Sequence, residues 1–142
     1  MSELRDLLQV HLDGLNNHDL IQSRASFAED VVTVTPGGTM EGIDAFMSLG
    51  EAFMTAVPDQ WITADHIYEV GDTIISEGIY GGTHTGPLAT PDGVVPATGR
   101  SFQFPYCEVH QARDGKFVHT RIYWDNMGFM AQLGLLGEAA DA

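Results

Sequence analysis

Apolar residues Leu4, Leu8, Leu12 and Leu15 recur at steps of three and four, the spacing that lays one stripe along a helix. Ser2 can cap that helix, which is predicted to run to Asn17, with His11 on or beside the stripe. A second, short helix is predicted from Asp19 to about Phe27. The period then changes: the β-branched run in "DVVTVTPGG" suits a strand, and Pro36-Gly37-Gly38 ends it. "IDAFMSLGEAFMTAVPD" returns to helical spacing through Ile43, Phe46, Met47, Leu49, Phe53 and Met54 until Pro58 stops it.

Strands follow one another after that point, near Trp61 to Val70, Thr73 to His84, Arg100 to Arg113 and Lys116 to Asp125. "EVGDT" and "RDGK" supply the tight turns. The connection over residues 85–99, "TGPLATPDGVVPATG", is long for a hairpin, and links of that length often form lids or rims. A last helix is predicted from Asn126 to about Leu136, followed by a tail of small residues expected to fray. Helices first and an antiparallel meander after them predict an α+β fold, with helices gathered on one face of a curved antiparallel sheet and a pocket left open at one end.

Composition narrows the class. A chain of 142 residues is expected to form a single domain, 1–142, and 44% hydrophobic against 18% charged residues is the balance of a folded globular protein. No apolar run approaches a membrane span, and "MSELRDLL" lacks the pattern of an export signal, so the expected location is cytoplasmic. Twenty acidic against six basic residues give a net charge of −14, which repels nucleic acid and anionic membrane surfaces. The single cysteine, Cys107, forbids an intrachain disulfide and is expected as a small core residue.

Chemistry gathers in the last hairpin. If Asp114-Gly115 is a two-residue turn, His110 opposes His119, Glu108 opposes Arg121, Tyr106 opposes Tyr123 and Phe104 opposes Asp125 on one face. Two histidines, two tyrosines and an ion pair on one face suggest a surface that binds something amphipathic. Pro105 warns of an edge or a bulge, beyond which the facing changes. Asp125, beside Tyr123 and Trp124, has two readings: a partly desolvated base, or the N-cap of the last helix. His84 in "GGTHTG" lies where backbone can approach a ligand, and Trp61 reads as core or pocket wall. His11 and His66 have no spaced partner and are read as ordinary. His110 and His119 lack a third fixed ligand, so no metal is expected. No nucleotide-binding or Gly-x-Ser-x-Gly signature is present.

"NNHDL", "FAEDVVTVTPGG", "AVPD", "GTHTGPL", "ATGR", "DGK" and "YWDNMGFMAQLG" together resemble the SnoaL-like polyketide cyclase family of the NTF2-like superfamily, over nearly the whole chain. The resemblance implies an NTF2-like cone wrapped by the N-terminal helices, dimeric through its sheet, with an apolar pocket and no metal or organic cofactor. It implies Asp125 as the general acid/base of an intramolecular aldol ring closure on a hydrophobic, carbonyl-rich substrate, with His110 as a second catalytic residue. Tyr123, Arg121, Tyr106, His119, His84 and Trp61 are the candidate substrate contacts. A non-catalytic binding module, or an epoxide hydrolase or isomerase, is the alternative on the same fold.

Overall fold

In a computed structural model, which describes residues 2–136, the N-terminal stripe becomes helix α1 (Glu3–Asn16), with Leu8 and Leu12 buried and Ser2 capping through a bond from Arg5 N–H. Helix α2 (Leu20–Arg24) is capped by Asp19 and ends sooner than its pattern suggests, because Phe27 opens the first strand. Helix α3 (Ile43–Ala56) buries Ile43, Phe46 and Ala56. Helix α4 (Asn126–Gln132) is shorter than predicted: Gly134, with φ at +76°, turns the chain out of the helix. The expected fraying beyond Leu136 lies outside the described residues.

The main sheet has seven strands, β1 (Phe27–Thr35), β2 (Gly38–Glu41), β3 (Trp61–Ile62), β4 (His66–Val70), β5 (Thr73–Thr83), β8 (Ser101–Arg113) and β9 (Lys116–Trp124). Its order is β2-β1-β9-β8-β5-β3, with β4 also on β5. The predicted strand from Trp61 to Val70 is two short segments along β5, broken at residues 63–65. The sheet is curved and the α+β class stands, but β1 pairs with β9 in parallel, so it is not purely antiparallel. The long link holds a separate hairpin, β6 (Leu88–Thr90) with β7 (Gly93–Val95). Leu88 is buried beside Ala56 and Val57, and the Thr85 and Gly86 amides donate to the Ala56 carbonyl at the end of α3.

One register change matters for function. Arg113 faces Lys116 and Ala112 faces Phe117 as the turn predicts, but Gln111 faces His119, leaving Val118 as an extra residue on β9. From there on every opposed pair slips by one, and a one-residue slip sends each side chain to the other face. Pro105, by contrast, causes no bulge. It lies just past the β8–β9 ladder, which starts at Tyr106, so no β9 residue calls for its N–H.

Helices α1, α3 and α4 lie over one face of the sheet. The main core joins Leu8, Leu12, Phe27, Phe46, Ile74 and Phe117 under α1 and α3; a second cluster joins Val57, Phe102, Phe104, Phe129 and Leu133 at the α4 end. Where α1 meets α2 the contact is backbone to backbone, since a Cβ on Gly14 would sit 2.4 Å from the Ser23 nitrogen. Gly14→Ala is therefore expected to cost roughly 1–3 kcal/mol, as overpacked interiors do, read as a lower urea midpoint with unchanged slope. Cys107 departs from expectation: it is half-buried on the outer face of the sheet, and burial raises its thiol pKa.

Candidate active site

The inward row of β8 supplies the floor of a pocket. Phe102, Phe104, Tyr106, Glu108 and His110 are all buried, while the alternate residues point to the outer face. Behind the register slip, β9 adds Ile122 and Trp124, α1 adds His11 and Leu15, and α3 adds Phe46, Met47 and Phe53. The space between these walls, counted together with its open mouth and the solvent there, is about 720 Å³. The walls are mainly aliphatic and aromatic: Phe104 and Trp124 are nearly parallel at 6.2 Å, and Phe53 meets Trp124 edge-on. An apolar, ring-sized substrate fits such walls better than a polar one.

Among the residues lining this pocket Glu108 is the one carboxylate. Its Oε1 lies 2.9 Å from His110 Nε2 and 3.2 Å from His11 Nε2. His110 Nδ1 is 2.8 Å from Thr120 Oγ1, and His11 Nδ1 is 2.8 Å from Ser23 Oγ. Burial raises the Glu108 carboxyl pKa, but the charge and hydrogen bond of His11, with the hydrogen bond and charge of His110, outweigh that and hold it well below the usual carboxylate range. An ionised carboxylate only accepts, so both Nε2 atoms present a proton to it, and the Thr120 hydroxyl donates to Nδ1 of the His110 ring. Burial lowers the pKa of His110, in keeping with a neutral ring. Oε2 takes no hydrogen bond from the described residues, which leaves one acceptor on a buried anion for a ligand.

Packing fixes the cluster. His110 stacks on Phe117 at 4.5 Å, and His11 meets the edge of Phe27 at 5.0 Å. Two tyrosines complete the polar set. Tyr80 donates to Gln60 Oε1 at 2.7 Å and Tyr106 to the Thr63 carbonyl. Burial pushes both phenol pKa values up, so both stay protonated.

The residues singled out from sequence divide sharply. His110 and Tyr106 stand on the inward face, as expected. The expected partners across the hairpin do not: His110 faces Thr120, Glu108 faces Ile122 and Tyr106 faces Trp124. The bulge at Val118 turns His119, Arg121 and Tyr123 to the outer face, where Arg121 Nη1 lies 3.4 Å from His119 Nδ1 and Tyr123 is 50% exposed. The predicted shared row of histidines, tyrosines and acid is corrected accordingly. Asp125 is exposed and outside the lining; its Oδ1 accepts from Gly128 N–H at 2.9 Å as the N-cap of α4. Trp61, 38% exposed, lies over Gly81 rather than in the pocket wall. His84 is buried at the base of the β6–β7 excursion, its Nδ1 3.0 Å from Thr98 Oγ1, and burial lowers its pKa.

Sequence reasoning passed over His11, Ser23, Gln60 and Tyr80. His11 did leave a signal: a histidine on a leucine stripe is carried into the core, where its ring nitrogens must find partners.

The match to known proteins is consistent with this architecture. The family model for SnoaL-like polyketide cyclases matches residues 5–133. The chain belongs to the SnoaL-like polyketide cyclase family. A SnoaL-like candidate polyketide cyclase from Jannaschia sp. CCS1 has the same fold, with a TM-score of 0.83 at 14% identity over 96% of this chain and 94% of that one. IdmH of Streptomyces antibioticus, a candidate polyketide cyclase, is 25% identical with a TM-score of 0.75 over 92% and 97% of the two chains. AclR of Streptomyces galilaeus, a candidate hydroxylase, gives 0.80 at 20% identity over 94% and 86%. No curated protein matches the chain. Membership of the SnoaL-like family supports an enzyme of cyclase or isomerase type. Among the described residues no helix is long and apolar enough to cross a membrane.

Proposed function

We propose that this SnoaL-like protein catalyses a cofactor-independent intramolecular aldol ring closure, or closely related proton-transfer chemistry, on a hydrophobic carbonyl-rich molecule, with Glu108 as the base. The observation that carries the reading is the single lining carboxylate, ionised by its two histidines and left with a free oxygen toward an apolar pocket. Glu108 Oε2 takes a proton from a carbon between two carbonyls, and the C–H electron pair passes into an enolate. The enolate carbon attacks a further carbonyl of the same molecule, one not attached to it, forming the C–C bond. The resulting alkoxide recovers the proton from Glu108. His11 and His110 stabilise the carboxylate through their hydrogen bonds to Oε1. The walls supply orientation, which counts heavily in a ring closure.

Asp125, the base that family resemblance implies, enters as the competing assignment. The test follows ring closure of anthraquinone-like β-keto esters by absorbance. With Glu108 as base, Asp125→Asn is expected to keep turnover, while Asp125→Ala lowers stability by about 1 kcal/mol through loss of the cap, read in a thermal melt. Turnover lost in Asp125→Asn with binding intact would transfer the role to Asp125. Binding without turnover in wild type would make the protein a binding module. A homodimer through the outer sheet face, where Tyr123 and Tyr68 are exposed, belongs to the same proposal and is read by sedimentation equilibrium.

A further inference from the structure

The cluster beneath the pocket has a second chemical capacity, which does not depend on the ring-closure reading. One ligand atom from each of His11, Glu108 and His110 lies within 4.8 Å of the others, and both Nε2 atoms reach Glu108 Oε1. The sequence offers only His110 and His119 as a histidine pair; folding turns His119 away and delivers His11 from α1 as the third ligand.

We propose that His11, Glu108 and His110 form a binding site for a divalent transition-metal ion, zinc best matching the donor set. Two imidazoles and one carboxylate with a fourth position toward a ligand pocket is the donor pattern of open zinc sites. With metal–ligand bonds of about 2.0–2.2 Å, tetrahedral donors stand roughly 3.3–3.5 Å apart. The observed 2.9 and 3.2 Å widen slightly to reach that spacing, while the two histidine donors, within 4.8 Å of each other, draw together. Both rings already have an outer partner: with the metal on Nε2, the proton moves to Nδ1, and Ser23 Oγ and Thr120 Oγ1 accept from it. His11 and Glu108 line the pocket, which gives the ion its path in. An ion seated there occupies the anion that the ring closure uses, so zinc is an inhibitor of that reaction and not its cofactor.

The experiment is equilibrium dialysis of chelator-treated protein against zinc, with excess magnesium to occupy surface carboxylates, alongside the visible spectrum of the cobalt(II) form. One equivalent of zinc and an intense tetrahedral cobalt spectrum are expected. His11→Gln and His110→Gln should each weaken zinc binding by about 100-fold or more, while His119→Gln on the outer face leaves it unchanged. Less than half an equivalent in wild type, a weak octahedral cobalt spectrum, or binding that survives both pocket variants would overturn the site. The wild-type spectrum decides the matter even if a variant fails to fold, and neither readout requires turnover. Failure of the metal site thus leaves the Glu108 reaction standing, and the reverse holds too.

Discussion

Glu108→Gln is expected to lower kcat for ring closure by about 100- to 10,000-fold, the range spanned by removal of a positioned general base. Glutamine keeps the size of the side chain and still offers Oε1 to a histidine, so substrate binding should change little. The effect belongs in kcat rather than KM. Because Glu108 stays ionised well below the usual carboxylate range, wild-type kcat/KM should be flat across neutral pH and fall only in acid. The same residue ties activity to stability. Its folded pKa is depressed below the unfolded value of 4.5, so its contribution is fully present above that pH and is lost as pH falls through the lower, folded value. Urea titrations at stepped pH are expected to show wild type losing stability more steeply than Glu108→Gln in acid. Equal slopes in the two proteins would contradict an ionised, histidine-held carboxylate.

The second large effect is in the core. Phe117 is fully buried, packs on Phe27 at 5.5 Å and stacks on His110 at 4.5 Å. Phe117→Ala is expected to destabilise the fold by about 3–5 kcal/mol, since both the transfer energy of the ring and the cavity left behind count against it. Chemical denaturation measures that loss directly. The variant should also lose activity at temperatures where it remains folded, because His110 would no longer be held against Glu108. Phe117→Leu, which refills much of the space, should recover most of both. A variant that loses stability yet keeps wild-type kcat would show that ring stacking does not position His110.

Much of the architecture could be read from the chain because its signals are local. The leucine stripe of α1, the caps at Ser2, Asp19 and Asp125, the β-branched run of β1 and the Asp114-Gly115 turn each act within a few residues. Strand alternation on β8 likewise placed Phe104, Tyr106, Glu108 and His110 on one face before any partner was known. The α+β class follows from those signals together; the apolar pocket was what the resemblance to the SnoaL-like family implied.

The site depended on what is not local. One extra residue, Val118, reverses the facing of β9 and exchanges His119, Arg121 and Tyr123 for Thr120, Ile122 and Trp124. A bulge of this kind has no composition of its own, because it answers to how β9 must lie between β8 and a parallel β1. His11 meets Glu108 across 97 positions of sequence, a contact set by helix packing and invisible to spacing rules. The sequence by itself determined the helices, the turn and the alternation of β8, and left the cap at Asp125 as one of two readings. Only the tertiary structure decided which acid faces the pocket and which histidines hold it, because register and helix docking are settled by the packed whole.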